Sequence, residues 1–121
     1  MRVVRVNELL KREVSAILHT RYRDSAVRIT VSGVETSPDL KAATVFYGVI
    51  GDHPEVIAAK RFFSKSGEDI RLELGRRVIL KYLPHLTFQY DESMERGSHI
   101  VDLIDSLEIE REGDPEKSDQ P

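Results

Sequence analysis

Apolar residues recur at spacings of three and four through the first twenty positions. Val3, Val6, Leu10, Val14 and Ile17 fall on one side of a helix over 3–20, and Arg5, Glu8, Arg12 and Ser15 fall on the other. The polar run "TRYRDS" (20–25) ends it. The period then drops to two. In "VRITVSGVE" (27–35), Val27, Ile29 and Val31 alternate with Arg28, Thr30 and Ser32, the pattern of a half-buried strand. "SPD" (37–39) is turn chemistry, and the β-branched and aromatic run "AATVFYGVI" (42–50) predicts a second strand, so the pair reads as an antiparallel hairpin.

"GDHP" (51–54) breaks the strand, and Pro54 suits a first helical turn. Val56, Ile57, Ala59, Phe62 and Phe63 then carry helical spacing. Ser66 followed by Asp69 resembles a capping box, which predicts that one helix ends near Lys65 and another begins. That second helix buries Ile70, Leu74 and Val78 and runs to about Tyr82, where Pro84 stops it. "LTFQY" (86–90) alternates as a third strand. Ser93 caps a last helix whose Ile100, Leu103, Ile104 and Leu107 sit at i, i+3, i+4 and i+7. The order α-β-β-α-α-β-α predicts an α+β domain over 1–107, a three-stranded sheet with its helices on one face. Residues 108–121, "EIEREGDPEKSDQP", have no apolar period and read as a disordered acidic tail.

Charge changes the picture. The chain carries 18 Lys and Arg against 21 Asp and Glu, a net −3 that argues against a polyanionic partner. The tail alone holds six acids and two bases. Setting it aside leaves 16 bases against 15 acids, a body near +1 that has room for a basic face. The absence of cysteine excludes disulfides and thiolate chemistry. The charged N-terminus has no h-region and no run reaches the length of a membrane span, which makes a soluble, cytoplasmic protein the expectation.

Enzyme signatures are thin. His19, His53, His85 and His99 lie apart, none in a metal-ligand spacing, and neither a nucleophile elbow nor a phosphate-binding loop occurs. Asp91, Glu92 and Glu95 are either a cation site or favourable charge at a helix start; the second is the commoner use. No catalytic residue, metal or cofactor is expected. A hydrolase working from that acidic cluster has no nucleophile.

The α-β-β-α-α-β order is that of a type II KH domain, which clamps nucleic-acid backbone with a GXXG loop between its central helices. The sequence does contain Gly48-Val49-Ile50-Gly51, but at a strand end and with apolar middle residues, so it reads as punctuation. Where the loop belongs stands Lys65-Ser66-Gly67, predicted to be an interhelical kink in place of the loop.

Three motifs in order resemble one family over residues 3–105. They are "ITVSGVETSPDLKAATVFY" (29–47), "SGEDIR" (66–71) and "PHLTFQYDES" (84–93). The chain resembles ribosome-binding factor A, a bacterial assembly factor for the small (30S) ribosomal subunit. The family kink is usually Ala-x-Gly; here Lys65 takes the alanine position, so its side chain either turns outward or shortens the helix. The resemblance implies binding to the 16S rRNA of immature subunits, support for 5′-end processing, importance in the cold and a monomeric, non-enzymatic mode of action.

Phosphate contacts then fall to Lys and Arg. Arg71, Arg76, Arg77 and Lys81 follow the kink, with Arg77 and Lys81 expected on one helical face; Lys60, Arg61 and Lys65 extend the patch. Ser66 and Gly67 offer backbone N–H groups at the expected helix start. Arg2, Arg5, Lys11 and Arg12 make a second cluster. Each of these residues also fits an ordinary solvated face, with Glu68, Asp69 and Glu73 close enough to pair. Arg71, beside the apolar stripe, also fits a structural role. Phe46, Tyr47, Phe62, Phe63, Tyr82, Phe88 and Tyr90 are candidates for base stacking, though packing is the usual fate at such spacings. The alternative is a protein-interaction module that kept the scaffold and lost RNA binding.

Overall fold

The computed structural model describes residues 2–92, and Met1–Tyr90 form one compact unit. The expected last helix from Ser93 and the acidic tail lie outside the described residues. Helix α1 (Arg2–Thr20) leads into strands β1 (Ile29–Thr36) and β2 (Ala42–Val49), then helix α2 (His53–Arg77) and strand β3 (His85–Tyr90). The sheet order is β1-β2-β3, with β1 and β2 antiparallel and β2 and β3 parallel. A parallel neighbour needs a long crossover, and α2 supplies it.

Strand β1 alternates only as far as Val31. Val31 pairs with Tyr47 and Gly33 with Phe46, leaving Ser32 as the extra residue of a bulge. The bulge resets the phase, so Ile29, Val31 and Val34 all point into the core. Val27 does not join them. It precedes the strand and is exposed, because the turn after α1 runs on to Arg28.

Leu10, Val14, Ile17 and Leu18 of α1 and Phe63, Ile70 and Leu74 of α2 share one cluster with Ala43, Val45 and Tyr47 of β2. Both helices therefore cover the same sheet face, as the alternation required. Within this cluster Phe63 stacks on Phe88 at 4.4 Å and 11°, and its ring lies 4.5 Å from that of Tyr47. Burial pushes the Tyr47 hydroxyl pKa above its ordinary value. Asn7 ties α1 to the end of β1: its Oδ1 accepts from the Thr36 N–H at 3.0 Å and the Thr36 hydroxyl at 2.7 Å.

The two central helices expected from the sequence are a single helix. α2 continues through Ser66 and Gly67 without a new start. Its buried stripe explains why. Val56, Ala59, Phe63, Ile70 and Leu74 keep helical spacing across the join, and Gly67 occupies the missing place in that stripe. The true N-terminal box lies at Asp52, whose N–H is held by the Glu55 carboxylate at 2.7 Å, an interaction that lowers the Glu55 pKa. Gly51 precedes it at φ 136°, where a Cβ would also lie 2.6 Å from the Glu55 side chain. Gly48 pairs with Thr30 inside the sheet, so Gly48–Gly51 is a strand end and helix approach rather than a clamp.

α2 also stops earlier than expected, at Arg77. Val78 is extended, and the chain turns back so that Leu83 packs over Gly75, where a Cβ would come within 3.0 Å of its Cδ2.

Candidate nucleic-acid interface

The folding of α1 against α2 brings Arg12 of the first-helix cluster together with Arg76 and Arg77 of the second. Arg12 Nε lies 3.8 Å from Glu13 Oε2 on α1. Arg77 of α2 reaches across to Glu13 Oε1 at 3.3 Å and to Glu73 Oε2 at 3.7 Å. Arg76 donates to Glu73 Oε1 at 2.7 Å, and Arg21 reaches the same oxygen at 3.2 Å. Four guanidinium groups thus meet on two carboxylates, an excess of two positive charges. Hydrogen bonding from Arg76, with the charges of Arg21, Arg76 and Arg77, holds the Glu73 carboxyl below its usual range. The side chains of Arg12 and Arg76 are 70% and 68% exposed, so they remain open to a ligand. Arg5 is also exposed and lies two turns before Arg12 on α1.

Arg21 was legible only as part of a polar turn. Nothing in its spacing marked it; the packing of α2 against the end of α1 brings it to Glu73.

Arg71 is placed differently. Its Nε donates to the Pro84 carbonyl at 2.9 Å and its Nη2 to the Leu83 carbonyl at 3.1 Å, while Nη1 pairs with Glu68 at 3.1 Å. This arginine clamps the loop between α2 and β3, and its side chain is only 20% exposed.

Lys81 does not share a helical face with Arg77. The helix has ended, and Lys81 stands in the following loop with its Nζ 5.5 Å from the Tyr82 ring centroid. Ser66 and Gly67 offer no free N–H groups, because inside a continuous helix those donors bond to carbonyls four residues back. Gly67 instead faces Phe88, whose Cε2 would lie 3.1 Å from an added Cβ. Lys65 is exposed: the long side chain points outward and the helix runs on unshortened. Lys60 and Arg61 are exposed earlier on the same helix.

No group of three or more metal-ligating side chains forms among the described residues. His19 Nε2 sits 3.0 Å from the Ile29 carbonyl, while His53 and His85 begin α2 and β3. Glu95 and His99 lie outside the described residues. No described helix is long and apolar enough to cross a membrane.

Comparison with known proteins adds a family. The sequence pattern of ribosome-binding factor A matches residues 2–104. The chain is 39% identical to ribosome-binding factor A of Opitutus terrae, covering 94% of this chain and 92% of the relative. It is 42% identical to that of Syntrophus aciditrophicus, covering 93% of each. Among solved structures, ribosome-binding factor A from Thermus thermophilus superposes with a TM-score of 0.64 at 23% identity, over 73% of this chain and 94% of that one. A homology model of the Thermus factor, fitted into the cryo-EM map of its complex with the 30S subunit, gives a TM-score of 0.59 at 23% identity, over 71% and 91%. These structures share a KH-like fold with the chain.

Proposed function

This chain belongs to the ribosome-binding factor A family, and from that premise we propose that it binds the 16S rRNA of immature small ribosomal subunits and supports their late maturation. The observation that carries the reading is the cluster of Arg12, Arg21, Arg76 and Arg77 on Glu13 and Glu73. Exposed guanidinium groups in excess over their carboxylates exchange those partners for phosphate, with release of counterions from the RNA. The fit of the Thermus relative into a 30S complex supports the partner.

The mode of action is occupancy. A basic face without a GXXG clamp holds backbone, and base readout is slight. Support for 5′-end processing follows from holding immature rRNA in place, without catalysis by this protein, and the need for it is greatest in the cold. The protein acts in the cytoplasm as a monomer.

Co-sedimentation of the full chain with purified small subunits over a salt series tests this. Binding at low salt that falls steeply as salt rises is expected. Absence of binding at low salt would overturn the reading. It would favour a protein-interaction module instead, a rival that the uninterrupted α2 supports because no KH clamp forms there.

A further inference from the structure

Tyr82 is the only exposed aromatic residue among those described, at 46%. Lys41 Nζ lies 5.1 Å and Lys81 Nζ 5.5 Å from its ring centroid, both within cation–π range. Beside the ring runs a groove of about 310 Å³ walled by Val3, Val6, Leu40 and Leu80.

Two loops and the start of α1 build this groove, and both loops are fastened. In the β1–β2 loop, Ser37 donates to the Asp39 carboxylate at 2.7 Å, and the Lys41 N–H donates to it at 3.0 Å. The α2–β3 loop is held by Arg71 on the Leu83 and Pro84 carbonyls. The two loops are joined by the His85 N–H on the Lys41 carbonyl at 3.0 Å. Leu40 sits at φ 62°, a left-handed conformation that is strained for a non-glycine residue. Strain of this kind persists where surroundings over-determine it, and ligand clamps are among its usual places. Here it turns the Leu40 side chain to the groove wall.

The charges at the groove are Lys41, Lys81 and Asp39, a net +1. The Asp39 carboxylate already accepts two hydrogen bonds from its own loop, which hold its pKa low. An aromatic ring, an apolar wall and two ammonium groups ask for a ligand with a flat apolar face and an anionic group close to it. A nucleotide has both: the base meets the ring and wall, and the phosphate takes the lysines.

We propose that this groove holds one unstacked nucleotide of a single-stranded RNA segment, through Tyr82, Lys41 and Lys81. The proposal rests on the RNA-binding reading above and adds a base contact to the backbone contacts of that reading.

The test is amide chemical-shift mapping of the full chain with hexa-adenylate RNA, with affinities for Tyr82→Ala, Tyr82→Phe and Lys41→Ala. Shifts should concentrate at Leu40, Lys41, Lys81 and Tyr82. Tyr82→Ala should weaken the oligonucleotide about tenfold, the share of one base stacked on an aromatic ring, and Tyr82→Phe should keep most of the affinity. Thermal melting checks that the variants remain folded. Absence of shifts at the groove, or unchanged affinity in both Tyr82→Ala and Lys41→Ala, overturns the proposal. So does a Tyr82→Ala loss confined to whole subunits, which would assign the groove to a ribosomal protein. Groove shifts in a chain that fails to bind small subunits would uphold the nucleotide site and bring down the ribosomal reading alone.

Discussion

Gly67 has no side chain because Phe88 stands where one would go, with 3.1 Å to its Cε2. A branched residue there pushes on a ring already stacked against Phe63, so Gly67→Val should destabilise by about 1–3 kcal/mol, the usual cost of overpacking. Urea unfolding measures it, and helical circular dichroism should survive. Gly51 and Gly33 bracket this case. Gly51→Ala meets both a positive φ and the Glu55 side chain and should lose about 1 kcal/mol or more. Gly33 has open space and no positive φ, so Gly33→Ala should be neutral or stabilising, by up to about 1 kcal/mol. A Gly33→Ala variant less stable than either of the others contradicts the packing described. Arg71 belongs at this scale too. Arg71→Ala frees the Leu83 and Pro84 carbonyls and should cost about 1–2 kcal/mol of stability, since hydrogen bonds from a charged donor are the stronger kind and this one is partly exposed. A variant that loses RNA affinity and keeps its melting temperature would show a ligand contact instead.

At the scale of elements, α1 and α2 are joined by carboxylates as well as by apolar packing. Glu73 has its pKa lowered from about 4.5 in the folded chain, with the Arg76 hydrogen bond as the main cause. A carboxyl depressed on folding adds stability above its unfolded value and loses it as pH falls through the folded one. The melting temperature of the native chain should therefore exceed that of Glu73→Gln near neutral pH, and the gap should close on acidification below about pH 4.5. A gap unchanged down to about pH 3, below the ordinary range of a carboxyl group, would place the effect elsewhere than in the ionised carboxylate. Elements are also where the sequence was least plain. Strand β2 and the break before α2 follow from alternation and turn residues, whereas β1 begins two residues later than its alternation suggests, because the turn after α1 runs on to Arg28. The Ser66 signal misleads because a capping box is local chemistry, whereas the stripe from Val56 to Leu74 binds both halves of α2 to one core. The end at Arg77 hides behind Val78, Leu80 and Tyr82, whose apolar pattern continues after the backbone has left the helix.

For the molecule as a whole, the α+β architecture was legible in the order of periods, and the family in three short motifs. The candidate site was legible only in pieces. Arg12, Arg76 and Arg77 were visible as cations, but their convergence needs the contact between α1 and α2, and Arg21 joins only through it. Lys81 and Arg71 were read as members of one helical patch. The turn after Arg77 sends the first to the Tyr82 groove and folds the Leu83–Pro84 loop back onto the second. The central claim is that the arginines over Glu13 and Glu73 meet rRNA phosphates. The most direct measurement is the salt dependence of small-subunit affinity for the native chain and for the double variant Arg12→Ala, Arg76→Ala, which leaves Arg21 and Arg77 to hold both carboxylates. Removing each phosphate-binding cation should flatten the plot of log affinity against log salt by about 0.7–0.9, so the variant's slope should be shallower by about 1.5 and its low-salt affinity lower. Parallel lines with equal affinity would contradict the account.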